Sequence, residues 1–181
     1  MIKDDKGTGD VIYWFRIQDS DTNKYLFNRL TACYTGSDVI HCELYFCDRN
    51  MTVCINSNRS FTIFRGYNRE YSERDKWRGY RVTLPKSSVE AMWKHSKKDV
   101  GKSFDKMGII CFCAKGCFST PERTKVLICS KQVTLCSISG GVFDDTLDAD
   151  KMTPSDVCDV IRELKRKKKF PITIVKNWPL N

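Results

Sequence analysis

Apolar positions along this chain follow two periods, and together they outline a sheet with helices against it. Residues 11–17 (VIYWFRI) are an almost unbroken β-branched and aromatic run, which predicts a buried strand after the Thr8-Gly9-Asp10 break. Residues 39–47 (VIHCELYFC) alternate, so His41, Glu43 and Tyr45 share one face of a strand and Ile40, Cys42, Leu44 and Phe46 the other. Asp48-Arg49-Asn50 supplies turn chemistry and residues 51–57 return, which predicts a hairpin; 61–65 and 79–84 read as further strands. Helical spacing marks 25–33, through Leu26, Phe27, Leu30 and Cys33, and then 88–98, where Ser87 and Glu90 form a capping-box pattern before Val89, Met92 and Trp93. An apolar approach at 125–128 leads into helix-compatible residues 130–139, with Val133, Leu135 and Cys136 as core candidates and Gly140-Gly141 as the stop. The last helix opens on Thr153 as N-cap with Pro154 and Asp156 in its first turn, carries Val157, Val160, Ile161 and Leu164 on one stripe, and closes on the basic run 165–169. These elements predict an α+β domain, an antiparallel sheet with packed helices, over residues 1–181, with 170–181 as a C-terminal tail holding one short strand at 172–175.

Length and composition leave room for one self-sufficient core, since 41% of the 181 residues are apolar and 12% aromatic. A net charge of +9 favours anionic partners without specifying a fold. Residues 1–10 are charged and no apolar run approaches 18 residues, so neither a signal peptide nor a spanning helix is expected. Ten cysteines in a chain with a core of this size point to free thiols in a cytoplasmic setting rather than to a disulfide scaffold.

Candidate chemistry narrows quickly because there are only two histidines. His95 falls among lysines on a predicted helix and reads as a surface residue. His41 lies between apolar neighbours on a strand, where an imidazole is costly unless it is hydrogen-bonded, so it is either a satisfied core residue or a site residue. Of the ten cysteines, Cys129 is placed at a helix start, where the macrodipole and free amides stabilise a thiolate and face a developing oxyanion. For a third group orienting the imidazole, Asn56 fits across the hairpin. Glu43 competes from the same face of the same strand, although residues two apart lie about 6.5–7 Å apart and reach each other poorly.

With these residues in hand, the chain resembles the permuted branch of the NlpC-like, papain-fold superfamily, which includes the lecithin retinol acyltransferase group and poxvirus-encoded relatives. Gly9-Asp10-Val11-Ile12 is similar to that family's strand opening, residues 37–45 (SDVIHCELY) to its histidine strand, and residues 126–133 (VLICSKQV) to the Cys-Ser-X-X-Val start of its nucleophile helix. Residues 101–105 (GKSFD) and 153–156 (TPSD) resemble flanking elements, so the likeness runs from residue 9 to about 160 in family order. The resemblance implies a circularly permuted papain-like fold, His41 as general base, Cys129 as nucleophile and Asn56 as the polar third residue. Glu43 stands where many relatives have Gly or Ala, and Asn56 where many have His or Glu. It also implies cysteine-nucleophile hydrolase or acyltransferase chemistry on an amide, ester or thioester, with a peptide, lipid or other acyl substrate, no cofactor and no metal. A virus-encoded protein in a host cytoplasm fits the same resemblance.

Other signals point elsewhere and are weaker. Cys111, Cys113 and Cys117 have a C-x-C-x3-C spacing but no fourth ligand at finger distance. The 165–169 run could meet an anionic membrane, an acidic protein or nucleic acid, yet cations at a helix C-terminus are favoured by the dipole alone. The rival to an enzyme is a catalytically silent binding protein of the same fold, engaging an acidic partner or nucleic acid through its basic surface; the sequence disfavours nucleic acid.

Overall fold

A computed structural model describes residues 7–19, 26–55, 62–66, 76–104 and 126–175. The centre of the sheet is β1 (Thr8–Ile17), whose burial on both faces explains why its sequence is continuous rather than alternating. It pairs antiparallel with β2 (Val39–Phe46) on one side and β5 (Trp77–Pro85) on the other. Adding β3 (Met51–Cys54), β4 (Thr62–Arg65) and β8 (Ile172–Val175) gives an antiparallel six-stranded sheet in the order β4-β3-β2-β1-β5-β8. The strand expected within the tail is thus the edge of the main sheet, beside β5. A separate parallel pair joins β6 (Ser103–Phe104) to β7 (Val126–Leu127).

Helix α1 (Leu26–Thr35) precedes β2, and α2 (Lys86–Asp99), α3 (Cys129–Ser139) and α4 (Pro154–Arg166) complete the α+β arrangement. Val89, Met92 and Trp93 from α2, Val133 and Cys136 from α3, and Val157, Cys158 and Ile161 from α4 share one core with Val11, Tyr13 and Phe15 of β1 and Cys42, Leu44 and Phe46 of β2. The opposite face of the sheet holds a smaller cluster of Ile12, Trp14, Tyr45 and Trp77. Gly79 lies opposite Trp14 in the β1/β5 register, and a Cβ there would come within 2.6 Å of the indole, so the glycine makes room for the ring. Among the described residues, no helix is long and apolar enough to cross a membrane.

Several boundaries differ from the sequence expectation for local reasons. The 88–98 helix starts two residues earlier, at Lys86, so Ser87 is inside it and no side-chain cap forms at Pro85. Glu90 pairs instead with Arg49, whose guanidinium also covers the Trp93 ring. The cap at Thr153 does form: its hydroxyl accepts from the Asp156 amide while the Asp156 carboxylate accepts from the Thr153 amide, with Pro154 at the first position. Lys165 and Arg166 fill the last turn of α4, where Arg166 and Lys167 both pair with Glu163. His95 is half-buried rather than on the surface, its imidazole beside the buried Asp99 that Lys102 also holds.

Helix α3 is unusual in being buried almost all round while carrying Ser130, Gln132, Thr134 and Ser137. Small polar residues let it sit tightly between α2 and the sheet, and back-bonds to the helix's own carbonyls satisfy Ser137 and Ser139. Ser137 also meets the Tyr13 hydroxyl at 2.8 Å, tying the helix to the central strand. Ser137→Ala leaves that buried phenol without this partner, so urea unfolding of the variant is expected to show a loss of about 1–3 kcal/mol. A loss of a few tenths would mean that the bond does not anchor the helix.

Candidate active site

Three structural circumstances bring the chemistry together. First, the β1/β2 ladder slips between Arg16 and Ile17: Arg16 pairs with His41 but Ile17 with Val39, leaving Ile40 as the extra residue of a bulge. Val39, rather than the expected Ile40, therefore joins Cys42 on the helix side. Second, among the described residues the β2/β3 ladder covers β2 only from Leu44 to Phe46, so His41, Cys42 and Glu43 lie beyond its end. Third, α3 begins at Cys129 with Ile128 at its N-cap, and Ile128 has no side-chain oxygen to occupy the first amides of the helix.

The Cys129 sulfur is within hydrogen-bond reach of both Cys42 and His41. Strand alternation sends the two side chains to opposite faces, yet both meet the same sulfur at this end of β2. The Cys42 thiol and backbone N–H donate to the sulfur, and together with the His41 charge they hold the Cys129 thiol well below its ordinary range against the opposing effect of burial. Cys42 itself is pushed far up, first by burial and then by the neighbouring Cys129.

His41 is held by Glu43. Its Nε2 is 3.0 Å from Glu43 Oε1, and the carboxylate is almost wholly buried. This corrects the expectation that residues two apart on a strand reach each other poorly: the backbone separation is real, but both side chains are long enough to lean across it. Burial alone would depress the imidazole, yet the Cys129 thiolate and the Glu43 carboxylate outweigh it and raise His41 to about 10. With Nε2 turned to Glu43, Nδ1 is the nitrogen left for the sulfur. Trp77 meets the imidazole edge-on, ring centroids 6.3 Å apart, and fixes its plane.

The resulting constellation is a cysteine–histidine pair at a helix start, with a buried carboxylate behind the imidazole. Cys129 is 8% exposed and the His41 side chain 15%, so the pair is desolvated but not sealed. A cleft of about 760 Å³ lined by Gln18, Arg29, Cys33, Ser37 and Asp38 opens at the same end of β2 that carries His41. Asn56 lies outside the described residues, as do Cys111, Cys113 and Cys117. Sequence reasoning missed Cys42 as a contributor, because alternation alone assigns it to the core; the contact depends on where α3 starts relative to the end of the β3 ladder.

No family model matches the chain, and no curated protein matches it.

Proposed function

We propose that the chain is a cysteine-nucleophile hydrolase or acyltransferase with a circularly permuted papain-like arrangement. The observation that carries this reading is the placement of Cys129 at the uncapped start of α3, where its sulfur is in reach of His41 and His41 is in turn bonded to Glu43. The Cys129 thiolate attacks the carbonyl carbon of an amide, ester or thioester, and the first amides of α3 receive the oxyanion. The His41 imidazolium gives its proton to the leaving group as the acyl-enzyme forms. Neutral His41 then removes a proton from water or another acceptor, which attacks the acyl-enzyme and restores the thiolate. Glu43 keeps the ring oriented and stabilises its charged form throughout. The permutation is read from chain order, with the histidine strand β2 before the cysteine helix α3. A soluble protein of a host cytoplasm, virus-encoded, acting on a peptide or lipid acyl group, is the setting that fits this reading.

Acyl transfer from an activated ester tests the assignment directly. Incubation with a p-nitrophenyl ester is expected to release p-nitrophenolate and to leave the acyl group on Cys129 in peptide maps, with neither outcome in Cys129→Ala. Acylation spread evenly over the cysteines, or unchanged ester turnover in Cys129→Ala, would remove the reading.

A further inference from the structure

The cleft at the N-terminal end of β2 carries one cation that no acid answers. Arg29 is exposed, is the only charged residue of α1, and its guanidinium has no ion pair or hydrogen bond among the described residues. Asp38, the one acid of the described lining, is already held by Arg78 at 3.0 Å, and Asp19, beside Gln18, is 3.7 Å from Lys76. The carbonyls at the end of α1 are partly taken up as well, since the Thr35 hydroxyl donates to Thr31 at 2.9 Å. The rim itself is fixed: the Gln18 amide donates to the Asp38 carbonyl at 2.7 Å, and the Ser155 hydroxyl of α4 donates to Ser37 at 3.0 Å. A polar cleft of settled shape thus keeps a single uncompensated positive charge.

Its position along the strand decides which half of a substrate this charge meets. His41 gives its proton to the leaving group, so the leaving group lies on the His41 side of the Cys129 sulfur. Ser37 and Asp38 precede His41 by four and three residues, and Gln18 follows Arg16, the ladder partner of His41, by two. At the rise of an extended strand the cleft therefore begins within about 10 Å of the imidazole. From the unanswered guanidinium at this distance we infer that the site takes substrates whose leaving-group half ends in a carboxylate, bound by Arg29 in the cleft. The inference rests on the reading of Cys129 and His41 as nucleophile and proton donor. A guanidinium meets a carboxylate with two parallel N–H donors, which fixes orientation as well as charge. One carboxylate also suits the cleft better than a phosphate dianion, because a single cation is free and Asp38 stands in the same lining. The substrate class is an acylated amine, alcohol or thiol that bears an acid group. N-acyl amino acids belong to it, and so do peptides cut within about three residues of their C-terminal carboxylate.

The test follows thiol release by the full chain from acetyl and octanoyl thioesters of ω-mercapto acids, from mercaptopropionate to mercaptooctanoate, beside carboxamides and phosphates of matched length. At the best length the carboxylate is expected to exceed its carboxamide by about fivefold to tenfold in kcat/KM, chiefly through KM, with the advantage shrinking as salt is added. In Arg29→Ala the advantage disappears, and in Arg29→Glu it reverses; the side chain is exposed, so neither replacement disturbs the core. A second readout needs no turnover. Cys33, one turn along α1 from Arg29, is an exposed free thiol in the same lining. Peptide mapping should show it modified faster by an anionic sulfonatoethyl than by a cationic trimethylammonioethyl methanethiosulfonate, with the bias lost in Arg29→Ala. Equal turnover of carboxylate and carboxamide at every length, or an advantage that survives in Arg29→Ala, would overturn the inference and leave the cysteine reading standing. A phosphate that outperforms the carboxylate would overturn the carboxylate and give the cleft to phosphate instead. No thiol release from any thioester, or release unchanged in Cys129→Ala, would remove the reading and the inference together.

Discussion

In His41→Ala, alkylation of Cys129 by iodoacetamide is expected to slow severalfold at pH 7, with the deficit widening as pH falls. The magnitude follows from two opposing effects. Losing the imidazolium moves the thiol up from its depressed range, since hydrogen bonding from Cys42, the largest of the lowering effects, is then left to oppose burial without the His41 charge. Each unit by which the thiol rises above the ambient pH costs about tenfold in thiolate. Against this, a thiolate of higher pKa is intrinsically more nucleophilic, gaining roughly threefold per unit, which returns part of the loss. Ionisation wins because it changes tenfold per unit. The shapes of the two pH profiles are more diagnostic than any single rate. The wild type should be flat through neutrality, because the thiolate is already formed, whereas the variant should climb tenfold per pH unit until it reaches its own pKa. The imidazolium is lost as pH rises through about 10, so acyl transfer in the wild type, which needs that proton for the leaving group, falls there on the alkaline side. Turnover of an ester in His41→Ala loses more than alkylation does, about 10²–10⁴-fold, since the general acid and base is gone as well. Parallel flat profiles for both proteins would show that His41 does not create the thiolate.

Why some of this was legible in the sequence and some was not can be traced to the range of each interaction. The central strand, the His41 strand and the last helix were readable because their signals are local: a doubly buried run in β1, period-two alternation in β2, and a reciprocal cap with proline in α4. The helix start at Cys129 was readable for the same reason, from the Gly-Gly stop and the apolar approach around it. The Ser87–Glu90 capping box failed because Arg49, 41 residues from Glu90 along the chain, claims that carboxylate. His95 was misplaced because the partner that draws it in, Asp99, is buried by the packing of α2 and not by anything in its neighbours' sequence. At the site, pairing Cys129 with His41 could be argued from scarcity and motif, but the roles of Cys42 and Glu43 depend on a bulge and on where one ladder ends. Those are register facts, and one residue of slip reverses which side chains meet.

The third member of the site gives the sharpest contrast between the two sources. Family resemblance points to Asn56, while geometry gives the His41 Nε2 to Glu43 at 3.0 Å. Glu43→Gln keeps the length and the accepting oxygen but removes the charge, so it isolates the electrostatic contribution. His41 loses one of the groups that raise it, and the alkaline limb of acyl transfer is expected to move down from about 10 while the Cys129 thiolate persists at neutral pH. Glu43→Ala removes the acceptor as well and frees the ring to turn away from the sulfur. Misorientation of that kind is expected to cost about 10²-fold in acyl transfer, with a smaller effect on alkylation, which needs the thiolate but no proton to a leaving group. The split between the two assays matters because a variant that merely loosened the fold would lower both together. Asn56→Ala is the companion experiment: with Glu43 as the orienting group it should leave the alkaline limb in place. An alkaline limb that moves in Asn56→Ala and stays fixed in Glu43→Gln would transfer the role to Asn56 and make the buried carboxylate a structural partner only.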